Sequence, residues 1–97
     1  MPPAPKIKRT VNRKELDFVI RGRDGICMWG LEHPGVHGPC SAGLDPHHII
    51  PRSVGGPDDR KHVITLCRHH HNQAEAHVIT PEQLYAILTR RFGYQYE

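Results

Sequence analysis

The sequence predicts a small α+β domain, in which two short strands and a helix lie between one helix near the N-terminus and another near the C-terminus. Apolar residues recur at helical spacing in the two flanking segments, and two short β-branched runs separated by a turn lie in the middle of the chain. All nine histidines and all three cysteines fall within residues 27–77. Because a chain of 97 residues buries only a modest core, this concentration predicts that a metal ion staples the fold.

The chain is expected to begin with a flexible basic arm over residues 1–10, which are rich in proline and lysine and have no apolar periodicity. Residues 11–97 are expected to form a single domain. Asn12 stands three positions before Glu15, which resembles a capping box at the start of a helix. Apolar side chains follow at helical spacing at Leu16, Val19 and Ile20. These features predict a helix over residues 13–22.

The centre of the chain is predicted to contain two short strands. Residues 30–46 are dense in glycine and proline and are expected to be a loop. Residues 49–50, both isoleucine, are a strand candidate that Pro51 closes. A turn over residues 55–59 then leads to a second β-branched run over residues 63–66.

Two helices are predicted in the last third of the sequence. Nothing between Cys67 and His77 breaks a helix, which predicts one over residues 68–77. Further on, the run Thr80-Pro81-Glu82-Gln83 combines a helix cap, a proline at the first helical position and a capping-box glutamine. This C-terminal helix is expected to end near Gly93. Its apolar face consists of Leu84, Ile87 and Leu88.

The three cysteines cannot all pair within one chain, and a cytosolic setting would keep thiols reduced, so metal ligation is their expected use. The predicted site is a structural zinc with Cys27, Cys40, Cys67 and His70 as ligands. Cys67 and His70 lie three residues apart, on one side of a helix, where both can hold a single ion. Twelve residues separate Cys27 from Cys40, which is wider than usual, so His33 or His37 could replace one of them.

The charge balance indicates a polyanionic partner, because the net charge is +3 and the isoelectric point is about 9.0. Seven of the thirteen lysines and arginines fall within the first 23 residues, where a DNA contact and a solvated helix face explain them equally well. No apolar run reaches about 18 residues, and residues 1–5 lack the apolar segment of a secretory signal. We therefore expect a cytoplasmic protein without membrane contact.

Several motifs occur in a fixed order through the middle of the chain. They are Arg23-Asp24-Gly25-Ile26-Cys27, then Pro46-His47-His48-Ile49-Ile50-Pro51, then Gly55-Gly56, and finally Leu66-Cys67 followed two residues later by His70-His71. Together, over about residues 21–80, they resemble the HNH endonuclease family. The resemblance implies a ββα-metal core, in which the two strands form a hairpin and a divalent metal is held between the hairpin and the following helix.

The resemblance also implies roles for individual residues. His47, the first residue of the histidine pair, corresponds to a metal ligand, and His48 corresponds to the general base. His71 corresponds to the ligand on the helix. The central asparagine of the family falls on His62, which is carried over as a catalytic residue. This departure leaves open how the base is oriented, because an imidazole could hydrogen-bond across the hairpin or coordinate the metal.

A further ligand in the family often lies four residues after the helix histidine, which is Glu75 here, whereas His77 lies six residues after it. In a helix, the fourth residue returns close to the same face and the sixth points away, which favours Glu75 and leaves His77 as the alternative. A carboxylate ligand makes Mg²⁺ or Mn²⁺ the favoured catalytic ion, with Ni²⁺ or Zn²⁺ as alternatives.

The implied activity is metal-dependent hydrolysis of DNA phosphodiester bonds, by nicking or by double-strand cutting. The expected partner is DNA, with Arg52 and Arg68 as candidate phosphate contacts. A monomer or weak dimer is expected, and the resemblance suggests a phage or mobile-element setting. The alternative is a non-catalytic zinc module that binds DNA or protein. A metal storage or sensing protein would explain the many histidines but not the ordered motifs.

Overall fold

The structure, a computed structural model, describes residues 11–41 and 43–96. The expected basic arm at residues 1–10 therefore lies outside the described part of the chain. The regular elements follow in the order α1 (Arg13–Asp17), a π-helix (Phe18–Asp24), α2 (Met28–Glu32), β1 (Leu44–His48), a short 3₁₀ helix (Arg52–Val54), β2 (Val63–Cys67), α3 (Arg68–Glu75) and α4 (Pro81–Phe92). Within the described residues, no helix combines the length and the apolarity needed to span a membrane.

The N-terminal helix begins where the sequence predicts. The Asn12 side chain caps α1 by accepting a hydrogen bond from the backbone N–H of Glu15 at 3.2 Å. From Phe18 the chain widens into the π-helix, which is followed by Gly25 in the left-handed conformation, with a φ of 69°. The helix predicted over residues 13–22 is thus present in two parts, α-helical at first and π-helical afterwards.

A buried ion pair fastens the π-helix to β2. The Nε atom of Arg23 lies 2.7 Å from Asp24 Oδ1, and the two side chains are only 4% and 0% exposed. Asp24 Oδ2 accepts from the backbone N–H of Thr65 at 3.0 Å, and Arg23 donates to the carbonyl of Val63 at 2.8 Å. Since a buried charge is tolerated only when it is paired and hydrogen-bonded, these contacts hold the N-terminal segment against the hairpin.

β1 and β2 form a two-stranded antiparallel hairpin in which His48 lies opposite Val63. The strand predicted at residues 49–50 is wrong in position, because β1 ends at His48. Pro46 lies inside β1, where a proline usually argues against a strand. Both strands of a two-stranded sheet are edge strands, however, and an edge strand tolerates proline. The strand predicted over residues 63–66 is confirmed as β2.

The loop predicted over residues 30–46 is only partly right, because this range also contains most of α2 and the start of β1. The Sγ atom of Cys27 caps α2 by accepting from the Gly30 N–H at 3.5 Å, and Trp29 is buried in the core. The indole N–H of Trp29 donates to the carbonyl of Val36 at 3.0 Å, which holds the following loop against the helix. A helix of five residues is too short for its periodicity to be visible in the sequence.

α3 and α4 follow the predictions closely. α3 ends at Glu75, two residues before the predicted end, and His77 has a left-handed φ of 60°. The predicted capping box is present, because Thr80 accepts from the Gln83 N–H at 3.3 Å and the Gln83 side chain accepts from the Thr80 N–H at 2.9 Å. α4 is followed by Gly93, also in the left-handed conformation.

The core lies where α2 and α4 pack against the hairpin and α3. Its fully buried side chains include Trp29, Ile64, Leu66, Ile79, Leu84, Ile87 and Leu88. The predicted architecture is therefore confirmed: a hairpin followed by a helix, flanked by helices at both ends, with a cluster of cysteine and histidine beside the core.

Candidate metal centres

Three cysteines and one histidine converge where α2, β2 and α3 meet. The Nδ1 atom of His70 lies 3.5 Å from Cys27 Sγ, 3.6 Å from Cys40 Sγ and 3.2 Å from Cys67 Sγ. A tetrahedral zinc ion, with bonds of about 2.3 Å to sulfur and about 2.1 Å to nitrogen, would hold the nitrogen about 3.6 Å from each sulfur. All three thiols are free, so the four side chains fit one zinc ion.

The local backbone structure positions Cys67, Cys27 and Cys40 in this group. Cys67 ends β2 and caps α3, because its Sγ accepts from the backbone N–H of His70 at 3.4 Å. Cys27 caps α2 in the same way. Cys40 comes from the loop before β1, and it can approach only because Gly30 has no side chain, since a Cβ there would collide with Cys40 Sγ.

The hydrogen bonds and the burial of this group bear on its ability to hold a cation. His70 Nε2–H donates to the carbonyl of Gly38 at 3.1 Å, so its Nδ1 carries the lone pair that a metal requires. Burial, and then hydrogen bonding to a neighbouring thiol, raises the pKa of Cys40 to about 12. Burial opposes ionisation of Cys67 too, but hydrogen bonds at the backbone of His70 and Ser41 lower its pKa. Three adjacent sulfurs ionise together only around a cation, and this donor set favours zinc.

His33 and His37, the alternative ligands for the wide cysteine gap, lie outside this group. Both rings stack on Trp29, with centroid distances of 4.0 Å for His33 and 5.5 Å for His37. Among the described residues, the four that come together are therefore the three cysteines and His70.

A second group lies where β1 faces α3. His47 comes from β1, whereas His71 and Glu75 lie one turn apart on α3, and their ligand atoms are all within 4.8 Å of one another. Glu75 Oε1 lies 3.6 Å from His47 Nδ1 and 3.2 Å from His71 Nε2. His77, the alternative third ligand, follows the end of α3 and is not part of this group. Two imidazoles and a carboxylate thus surround a common point.

The surroundings of His47 indicate whether this second group suits a metal. Its side chain is buried, and its Nδ1 has no hydrogen-bond partner among the described residues. Burial, followed by the neighbouring His71, lowers the pKa of His47 to about 4, so the ring is neutral near pH 7. A buried polar atom without a partner is unfavourable, and a cation held jointly with Glu75 would provide one. The residues fit a divalent ion.

Asp45, which the sequence analysis did not single out, orients His71. The Nδ1–H of His71 donates to Asp45 Oδ2 at 3.1 Å, which leaves Nε2 free of its proton and close to Glu75. Arg68 lies 3.1 Å from the same carboxylate oxygen through its Nε, and its side chain is 66% exposed. The one available signal in the sequence was that Asp45 precedes His47 by two residues and so lies on the same face of β1.

His48 is the last residue of β1, and the end of the strand lets it share a site with His47 although adjacent strand residues point to opposite faces. Both histidines line a small cavity of about 100 Å³. A larger cleft of about 440 Å³ beside it is lined by residues that include His48, Arg52, His71 and Glu75. The Nε2 atom of His48 lies 2.6 Å from Oδ1 of Asp58, a second carboxylate that the sequence analysis missed.

His62, at the position of the family's central asparagine, has other contacts. Its Nδ1 lies 2.7 Å from Asp59 Oδ1, and its ring meets Tyr85 and Tyr96 edge-on. Its main-chain carbonyl accepts from the N–H of Ile49 at 2.9 Å, immediately beyond β1. His62 therefore braces the hairpin through its backbone, while its side chain faces the tyrosines.

Comparison with known proteins agrees with this geometry. Residues 35–77 match the family model described as HNH endonuclease. No match is found among curated proteins or among solved structures. The matched segment contains β1, β2 and α3, and with them every residue of the second metal group. The predicted resemblance to the HNH endonuclease family is confirmed over residues 35–77.

Proposed function

We propose that the chain is a metal-dependent endonuclease that hydrolyses phosphodiester bonds of DNA. One observation carries the proposal: His48, Arg52 and two members of the second metal group line the same cleft. The HNH endonuclease match supports nuclease chemistry in general. The choice of DNA, of the catalytic ion and of the individual residues is our proposal.

His47, His71 and Glu75 would hold the catalytic ion. When bound, a divalent metal polarises the scissile phosphate and stabilises the leaving oxygen. The carboxylate favours Mg²⁺ or Mn²⁺, and the two imidazoles also suit Ni²⁺ or Zn²⁺. Asp45 supports this assignment because it fixes the tautomer of His71 in which Nε2 is available to the ion.

His48 is the proposed general base. It takes a proton from a water molecule while the water oxygen forms a bond to phosphorus. The bond between phosphorus and the 3′ oxygen breaks, and the leaving oxygen takes up a proton from solvent. Histidine is the side chain most often used to accept a proton in catalysis, and His48 lines the cleft where the phosphate would bind.

Arg52 and Arg68 are the proposed contacts to DNA phosphates. Arg52 lines the cleft, and the largely exposed Arg68 lies beside Asp45 at the start of α3. Contacts of this kind supply most of the affinity for DNA and make binding fall as the salt concentration rises. A monomer would carry one site and cut one strand at a time, so we propose a nicking enzyme. We also propose that it acts in the cytoplasm.

Plasmid cleavage tests the proposal directly. Supercoiled plasmid is incubated with the protein and Mg²⁺, Mn²⁺ or Ni²⁺, and nicked circles are expected before linear DNA. His48→Ala should abolish cleavage while the zinc content stays unchanged. His37→Asn is the matched control, because it alters an exposed histidine outside both metal groups at a left-handed position that asparagine tolerates.

The non-catalytic zinc module is the competing function. It predicts zinc binding and DNA or protein binding without cleavage, and it gives no role to the second metal group. Intact plasmid across the whole panel of ions would overturn the nuclease proposal in its favour.

A further inference from the structure

Asp58 is a buried carboxylate in direct contact with the proposed base. Its Oδ1 lies 2.6 Å from His48 Nε2, and the two side chains are only 3% and 12% exposed. A contact this short between a ring nitrogen and a carboxylate oxygen, shielded from water, is a strong hydrogen bond. The position of the ring proton on His48 is therefore coupled to Asp58 through this hydrogen bond.

The other oxygen of Asp58 is fixed by the backbone. Oδ2 accepts from the main-chain N–H of Asn12 at 3.0 Å, and Arg52 Nε lies 3.8 Å from Oδ1. A main-chain N–H is always a donor, so the carboxylate loses this hydrogen bond if it rotates away. The fold thus sets the orientation of Asp58 independently of His48.

The contact determines which nitrogen of His48 carries the proton. An ionised carboxylate only accepts hydrogen bonds, so His48 must donate through Nε2–H. In the neutral ring the lone pair then lies on Nδ1, which is the nitrogen left to accept a proton. Once the ring is protonated, the adjacent carboxylate stabilises the imidazolium.

We propose that Asp58 is a positioning residue for the nuclease reaction: it holds His48 in the Nε2–H tautomer and leaves Nδ1 as the proton acceptor. This inference rests on the proposed function, because it takes His48 to be the general base. The His62 side chain, at the position of the family's asparagine, makes its hydrogen bond with Asp59 and not with His48. Asp58 therefore accounts for the orientation of the base in this chain.

Replacing Asp58 by asparagine should force the wrong tautomer. The amide oxygen is expected to face the Asn12 N–H, because the opposite orientation would set two donors against each other. The amide NH₂ group then faces His48 Nε2, and the ring keeps the contact only if its proton moves to Nδ1. Asp58→Ala instead removes the constraint and should leave a mixture of tautomers.

Two measurements on the zinc-loaded protein test the proposal. Ring-nitrogen NMR, with the His48 signal identified by its loss in His48→Gln, should show a protonated Nε2 in the wild type and a protonated Nδ1 in Asp58→Asn. In plasmid cleavage, Asp58→Asn should lower kcat about 10²- to 10⁴-fold and change KM by less than about threefold. Asp59→Asn removes the neighbouring carboxylate of the same turn and should change neither the tautomer nor kcat.

The outcomes separate this proposal from the proposed function. A wild-type His48 that is protonated on Nδ1 overturns the positioning role, and that result does not depend on any variant folding. Wild-type kcat in Asp58→Asn, or an equal loss in Asp59→Asn, also overturns it while leaving the nuclease function intact. If the wild type cleaves no DNA, the nuclease function fails, and the tautomer in the wild type and in Asp58→Ala still decides whether Asp58 positions His48.

Discussion

Replacing Cys67 by serine should remove the structural zinc and, with it, most of the stability of the domain. Cys67 is buried, its Sγ lies 3.2 Å from His70 Nδ1, and the same sulfur caps α3. Serine is a good helix cap but a poor zinc ligand. Cys67→Ser therefore keeps the cap, removes the metal bond and isolates the contribution of zinc.

The expected effect is large because a structural zinc, when bound, supplies a stabilisation comparable to the free energy of unfolding of a whole small domain. A domain of this size is stable by about 5–15 kcal/mol, and a structural zinc contributes an apparent 10–16 kcal/mol, roughly, in small zinc-binding peptides. The four ligands join the start of α2, which carries Cys27, and the loop before β1, which carries Cys40, to β2 and α3. Even a loss of about 4 kcal/mol would lower Tm by roughly 16–32 °C.

Elemental analysis for zinc and thermal denaturation followed by circular dichroism test this expectation. The comparison includes wild type, chelator-treated wild type and Cys67→Ser. The chelator-treated protein and Cys67→Ser should both lack zinc and should no longer melt cooperatively. His37→Asn, which lies in the same loop as Cys40 but outside the ligand group, should keep both. A Cys67→Ser protein that retains zinc as the wild type does, or that melts within about 3 °C of it, would refute the reasoning.

Three further comparisons probe the second metal group, the proposed DNA contact and the buried ion pair. Glu75→Ala should raise the divalent-ion concentration for half-maximal cleavage at least about 10-fold, whereas His77→Asn should not; equal effects would contradict Glu75 as the third ligand. Arg52→Ala should raise KM for DNA and reduce the salt dependence of binding by about one phosphate contact, and an unchanged slope would exclude that contact. Asp24→Ala leaves Arg23 buried without its carboxylate and should lower the free energy of unfolding by about 3–5 kcal/mol in a denaturant titration; a loss below about 1 kcal/mol would mean that water replaces the partner.

The sequence was sufficient for elements whose signals are local. The capping box at Thr80 and Gln83 predicts α4, and the β-branched run predicts β2. β1 was misplaced because its residues, a proline and two histidines among them, have low strand propensity and become a strand through pairing with β2. That pairing joins segments distant in the sequence, where no local signal operates.

The same distinction applies to the candidate site. Cys67 with His70, and His71 with Glu75, are spaced so that a helix brings each pair together, and the sequence therefore groups them. Asp45 and Asp58 could not be predicted in this way. Their contacts with His71 and His48 arise only when the hairpin is folded against α3 and the turn before β2 is in place.

α3 connects the two candidate metal centres, and this connection leads to a last prediction. His70 belongs to the group of three cysteines and one histidine, and His71 belongs to the second metal group, on faces of the helix about 100° apart. A zinc ion held by Cys67 and His70 would fix the first turn of α3 against the end of β2, and we expect this to determine where His71 lies relative to His47 on β1. Loss of zinc should therefore weaken Mn²⁺ binding at the second metal group at least about 10-fold, as measured by calorimetry on wild type and Cys67→Ser. Equal Mn²⁺ affinity in the two proteins would mean that the hairpin positions α3 without help from zinc.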